Sequence, residues 1–167
     1  MIALVAIATT ALNAATINIV IPFHSLCPEV AQREVRCVHL GAGPGSGPPA
    51  DEYPFVESYC EDLQCDCRRA FLQVISRGQP GKIFASINVG WEDEAFYRKH
   101  MPWEPDAARR IVRGELDPLN EQSEFAEDFL DLFQTVVLDV PYRLRLRRHH
   151  RLFRAELERQ PPSATDA

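Results

Sequence analysis

Basic charge is in short supply. Lys and Arg number 18 against 24 Asp and Glu, a formal net charge of −6. That excludes a protein whose whole surface binds nucleic acid. A complete disulfide framework is missing as well, because five cysteines cannot all pair. A domain of 167 residues does not need crosslinks to fold. The cysteines therefore fit a reducing, cytoplasmic compartment. No Ser-His-Asp, HExxH or GxxxxGK[ST] pattern occurs, so the standard hydrolase and nucleotide-binding readings lack support. No internal repeat is evident.

Charge is absent altogether from residues 1–28, which hold no Asp, Glu, Lys or Arg. Residues 1–23 are long enough and apolar enough to permit a membrane span. No Lys or Arg precedes the apolar run, which weakens a secretory signal. Asn13, Asn18, Thr9, Thr10 and Thr16 dilute it further. Four readings stand: upstream extension, ordinary core, signal peptide or membrane anchor. Only the last makes a membrane a partner, and the last two alone oppose a cytoplasmic location.

The remainder reads as one α+β domain over residues 29–159. Pro28 and Glu29 open a helix expected over 29–37. Residues 41–51 are a Gly/Pro-rich loop with no Gly-Lys-Ser/Thr, so they are not a phosphate loop. Residues 53–91 read as a three-stranded antiparallel meander with strands at 53–59, 68–76 and 82–89. Tyr53, Phe55, Glu57 and Tyr59 alternate along one face of the first strand. Ile83, Ala85, Ile87 and Val89 do so along the third. Pro54 suits an edge strand or a strand start. Gly78-Gln79-Pro80-Gly81 marks the turn between the second and third strands. C-terminal helices are expected over about 92–100, 105–114, 118–139 and 142–159, with Asp117 and Pro118 opening the third. The meander packs against these helices. Residues 160–167 read as a disordered tail.

Three of the five cysteines fall within eight residues, as Cys60-x4-Cys65-x-Cys67, between two expected strands. Three thiols on one short loop can meet at a point. Zinc takes four such ligands at tetrahedral corners. The metal reading therefore assigns Cys60, Cys65 and Cys67 to zinc, with a fourth donor from His24, Cys27, Cys37, His39 or His100. A thiol redox switch is the alternative, since Arg68 and Arg69 favour thiolate at Cys67 while Glu61, Asp62 and Asp66 oppose it. The plainest reading is three unlinked thiols, because free cysteine is an ordinary small hydrophobe.

The run Phe55-x-Glu57-x-Tyr59-Cys60-x4-Cys65-Asp66-Cys67-Arg68-Arg69, followed by Asn88-x-Gly90-Trp91-Glu92, resembles a group of uncharacterised bacterial proteins. The similarity covers about residues 53–100 and extends to Arg148–Phe153. It implies a shared small domain and brings no activity, ligand or catalytic residue with it.

Two further features carry chemistry. Glu57 sits on an otherwise aromatic strand face, where a carboxylate must find a partner. Arg68 or Arg69 across the strand is the expected one, a general acid or base the functional rival. Asn88 and Trp91 could line a pocket with Glu57, or simply fill core. The last helix carries Arg143, Arg147, Arg151 and Arg154 on one face, which could contact nucleic acid. Residues 104–139 are rich in Asp and Glu, so pairing within the chain is the preferred reading. The sequence thus points to a small zinc-binding interaction module. Thiol redox and nucleic-acid binding are its alternatives, and catalysis is not expected.

Overall fold

A computed structural model describes residues 20–160 apart from 44 and 46. The α+β class holds: one antiparallel sheet is packed against C-terminal helices. Residues 1–19 and 161–167, on which the expectations for the N-terminal segment and tail mostly fall, lie outside the described residues.

The meander is present as β3 (Asp51–Cys60), β4 (Arg69–Ile75) and β5 (Ile83–Gly90). Phe55 opposes Val74, and Leu72 opposes Ile87, so each apolar set faces the same side. Tyr53, Phe55, Tyr59, Leu72, Val74, Ala85, Ile87 and Val89 are all buried there. The sheet is larger than three strands. β1 (Val20–Pro22) and β2 (Arg36–Leu40) pair with opposite ends of β3, and β6 (Glu115–Leu116) pairs with β5. Pro54 is therefore interior to the sheet, opposite Cys37. It escapes the usual penalty because the paired residues of β3 and β4 begin only at Phe55.

Two helix expectations need correction. After the four-residue α1 (Phe23–Leu26), helix α2 is Pro28–Glu34 and stops before 37. Arg36 and Cys37 instead enter β2, because the edge of β3 offers unpaired backbone groups. The long helix expected over 118–139 begins only at Ala126, as α5 (Ala126–Leu132) continued by a π-helical turn (Phe133–Val137). Asp117–Ser123 is drawn to the free edge of β5. Asp117 N–H donates to Ser86 O at 2.8 Å, and Ser123 N–H to Phe84 O at 3.2 Å. The Gln122 amide accepts from Ser86 N–H and donates to Ser86 O, both at 2.9 Å, as a paired strand would. Sheet-edge demand overrides the helical capping signal.

The other helices follow expectation. α3 (Glu94–His100) is capped by Asp93, whose carboxylate accepts from Phe96 N–H at 2.8 Å. α4 (Pro105–Arg113) ends at Gly114, where φ is +87°. α6 (Val140–Arg159) is capped by Asp139, which accepts from Tyr142 N–H at 2.7 Å. Gly90 ends β5 beneath Tyr97, and a Cβ there would overlap the tyrosine ring. That close approach seats α3 beside the β3–β4 loop.

The core is aromatic. Tyr53 meets Phe129 at 4.7 Å between centroids, and Tyr59 meets Phe153 at 5.5 Å. Into it is set one polar network. Glu57, 6% exposed, accepts from Tyr59 OH and His149 Nδ1, both at 2.7 Å. His149 Nε2 lies 3.2 Å from Glu34 of α2, and Phe23 stacks on the imidazole at 4.5 Å. Both ring nitrogens face carboxylate oxygens, an arrangement satisfied when both carry protons. The partner of Glu57 is thus His149, not Arg68 or Arg69. Those arginines flank the cysteine loop, away from the buried face.

Removing one partner strands a buried charge. His149→Ala is expected to lower unfolding free energy by about 3–5 kcal/mol in urea titration. Glu94→Ala, which breaks the exposed Glu94–Arg98 pair, should change it by less than about 0.5 kcal/mol. Equal effects of the two substitutions would contradict the network's role.

Candidate metal centre

The cysteine loop joins β3 to β4, so both of its ends are fixed by strands. Cys60 is the last residue of β3 and is buried; Cys65 and Cys67 are half-buried. Asp62 builds the turn: its carboxylate accepts from Gln64 N–H at 2.8 Å and its carbonyl from Cys65 N–H at 3.0 Å. Arg68 then adopts φ +48°, which turns the chain into β4. Its guanidinium bonds both oxygens of Asp66, at 2.7 and 3.1 Å, and Glu92 at 3.3 Å.

Two elements clamp this loop. From α3, Tyr97 OH donates to Arg68 O at 2.7 Å. From α6, Arg154 donates to the carbonyls of Cys65 at 3.0 Å and Asp62 at 3.3 Å, and also to that of Leu63. One guanidinium thus gathers three carbonyls and holds the loop closed.

The three sulfurs lie within 4.8 Å of one another, the one such group of three or more donors among the described residues. A tetrahedral zinc site with Zn–S bonds of about 2.3 Å needs sulfurs about 3.8 Å apart. The set is therefore placed to hold a metal ion. Burial pushes the Cys60 thiol up to about 12, reinforced by Cys67 and Cys65 nearby. Burial also raises Cys67, with Cys65 adding to it. Bare thiolates are unfavourable here, and a cation would reverse that.

The expected fourth donors are scattered. Cys27 is buried between α1 and α2, beside Glu156 and Arg159. Cys37 sits on β2 near Glu52, where burial and that carboxylate raise its thiol to about 11. His39 is exposed on β2 opposite Glu52, and His24 is on α1. His100, at the end of α3, alone shares a surface depression with Cys65 and Cys67.

Asn88 and Trp91 form no pocket with Glu57. Asn88 faces the other side of the sheet and donates to Asp117 at 2.6 Å; Trp91 packs on Tyr59 and His150. Among the described residues, no α6 arginine forms an ion pair with an acidic side chain of residues 104–139. Arg143 donates to the Gly90 and Val112 carbonyls, and Arg145 to that of Glu34. Arg148 pairs with the Glu34 carboxylate. Glu104 and Glu115 instead pair with Arg110, and Asp139 with Arg36. Arg147 and Arg151 line a groove of about 560 Å³ with Glu34, Arg145 and Arg148.

Sequence reasoning missed His149 and Arg154 as working residues. His149 carried a signal, since it lies on the apolar stripe of α6 opposite a carboxylate that lacked a partner. Arg154 carried none, because carbonyl clamping depends on how α6 docks.

No protein-family model, curated protein or solved structure matches this chain. No helix among the described residues is long and apolar enough to cross a membrane.

Arg154→Ala should loosen the loop selectively. Amide exchange at residues 62–67 should accelerate, with a stability loss of about 2 kcal/mol for hydrogen bonds from a charged donor. Unchanged exchange at those amides would show that Arg154 does not hold the loop.

Proposed function

We propose that this chain is a small zinc-binding module in which Cys60, Cys65 and Cys67 hold a structural ion. The convergence of the three sulfurs carries this reading. The ion fixes a surface loop between β3 and β4, and the module acts by contact with a partner macromolecule, not by catalysis. Thiolate ligands suit zinc over hard cations such as magnesium or calcium. A structural site is favoured over a catalytic one because the carboxylate nearest the sulfurs, that of Asp66, is occupied by Arg68.

The thiol redox alternative draws on the same sulfurs but needs an accessible, low-pKa thiolate. Cys60 is buried and its thiol is raised to about 12, which favours the metal reading.

Protein purified under reducing, metal-replete conditions should carry one zinc per chain by elemental analysis. Cys60→Ser, Cys65→Ser and Cys67→Ser should each lose it. Metal capture displaces the thiol protons, and Cys60 and Cys67 hold theirs above the usual thiol range. Apparent affinity must therefore rise with pH. Release of three thiol protons, one per cysteine, gives up to about a 1,000-fold gain per pH unit between pH 6 and 8, measured by chelator competition. Absence of stoichiometric zinc, or an affinity flat with pH, would contradict the proposal.

A further inference from the structure

Three thiolates leave one tetrahedral position to fill, and the structure offers an imidazole beside it. Cys65, Cys67 and His100 line one depression of about 290 Å³, with Phe96, Met101 and Trp103 as its apolar wall. Asp66 lines it too, but both carboxylate oxygens are taken by Arg68. His100 is the uncommitted donor.

Its chemistry fits the role. His100 Nδ1 lies 2.8 Å from Phe96 O. A carbonyl only accepts, so Nδ1 carries the proton, and Nε2 is the nitrogen whose lone pair the neutral ring offers to a metal. A backbone carbonyl on one nitrogen is how a metal-ligating histidine is commonly fixed in tautomer and orientation. The Phe96 ring stacks on the imidazole at 4.1 Å and 30°, which limits its rotation. The helix that bears it is already tied to the loop, through Tyr97 OH on the carbonyl of Arg68, the residue after Cys67.

We propose that His100 Nε2 is the fourth ligand, making a Cys3His zinc site that bridges the β3–β4 loop and the end of α3. This rests on the zinc reading above. The 4.8 Å group comprises the three sulfurs alone, so capture of the ion draws the last turn of α3 toward the loop across the depression. That turn is followed by the Met101 C-cap and the Pro102–Glu104 connection, outside any helix. His150 is the natural control. Burial and Arg154 push its imidazole down to about 4, so it is neutral. It packs against Trp91 at 4.9 Å and Tyr59 at 5.6 Å and does not line the depression.

The test uses the full chain, with zinc affinity measured by chelator competition and the ligand field read from the cobalt(II)-substituted protein. His100→Ala and His100→Gln should weaken zinc binding by about 100-fold or more, since loss of a mere second-layer partner already costs 10- to 100-fold. The cobalt(II) d–d bands should shift in both variants. His100→Cys should restore affinity, and His150→Ala should leave affinity and bands unchanged. Because His100 is exposed, the metal-free variants should unfold as the metal-free parent does. Wild-type affinity and an unaltered cobalt spectrum in both His100→Ala and His100→Gln would overturn the assignment while leaving the thiolate site intact. Failure of the unmodified chain to bind zinc would instead overturn the zinc reading and this assignment together.

Discussion

The bond between Glu57 and His149 sets the register on which the candidate site depends. A carboxylate on the buried face of β3 must be neutralised where it stands. The partner comes from α6, so the helix cannot slide along the sheet without stranding a charge. From His149 to Arg154 the helix rises about 7.5 Å. From Glu57 to Cys60 the strand runs about 10 Å. The same docking that pairs His149 with Glu57 therefore carries Arg154 to the end of β3, over the carbonyls of Asp62, Leu63 and Cys65. The loop is shaped from below by the strand and from above by the helix, and the sulfurs meet in between.

The arginines of α6 show how composition misleads about electrostatics. A basic helix next to an acidic stretch suggests wholesale ion pairing. Instead, Arg143, Arg145 and Arg154 spend their donors on backbone carbonyls at helix and strand ends and in the loop. Guanidinium groups suit this work because a planar fork of donors reaches several acceptors at once. Such contacts anchor segments that lack regular hydrogen bonding. They leave Glu104 and Glu115 to Arg110, Glu124 to Lys82 and Asp139 to Arg36.

Much of the sheet and the thiol cluster was legible in advance. Alternation placed the three main strands, because a strand with one buried face writes its period into the chain. The spacing of Cys60, Cys65 and Cys67 on a turn made their meeting expected. The short strands β1, β2 and β6 left no pattern, since two to five residues filling an edge answer the needs of a neighbour. The stretch 118–125 carried helix-opening residues yet serves β5 through Gln122 and Ser123. Glu57 was marked as a carboxylate in need of a partner. The partner lay 92 residues on and was visible only as a histidine on an apolar stripe.

The claim at the centre of this account is that the sulfurs of one loop share a zinc ion. X-ray absorption at the zinc edge of the purified, metal-loaded protein tests it most directly. Three sulfur scatterers at about 2.3 Å and one nitrogen at about 2.0–2.1 Å are the predicted shell. A shell made of oxygen and nitrogen alone, with no sulfur, would contradict it.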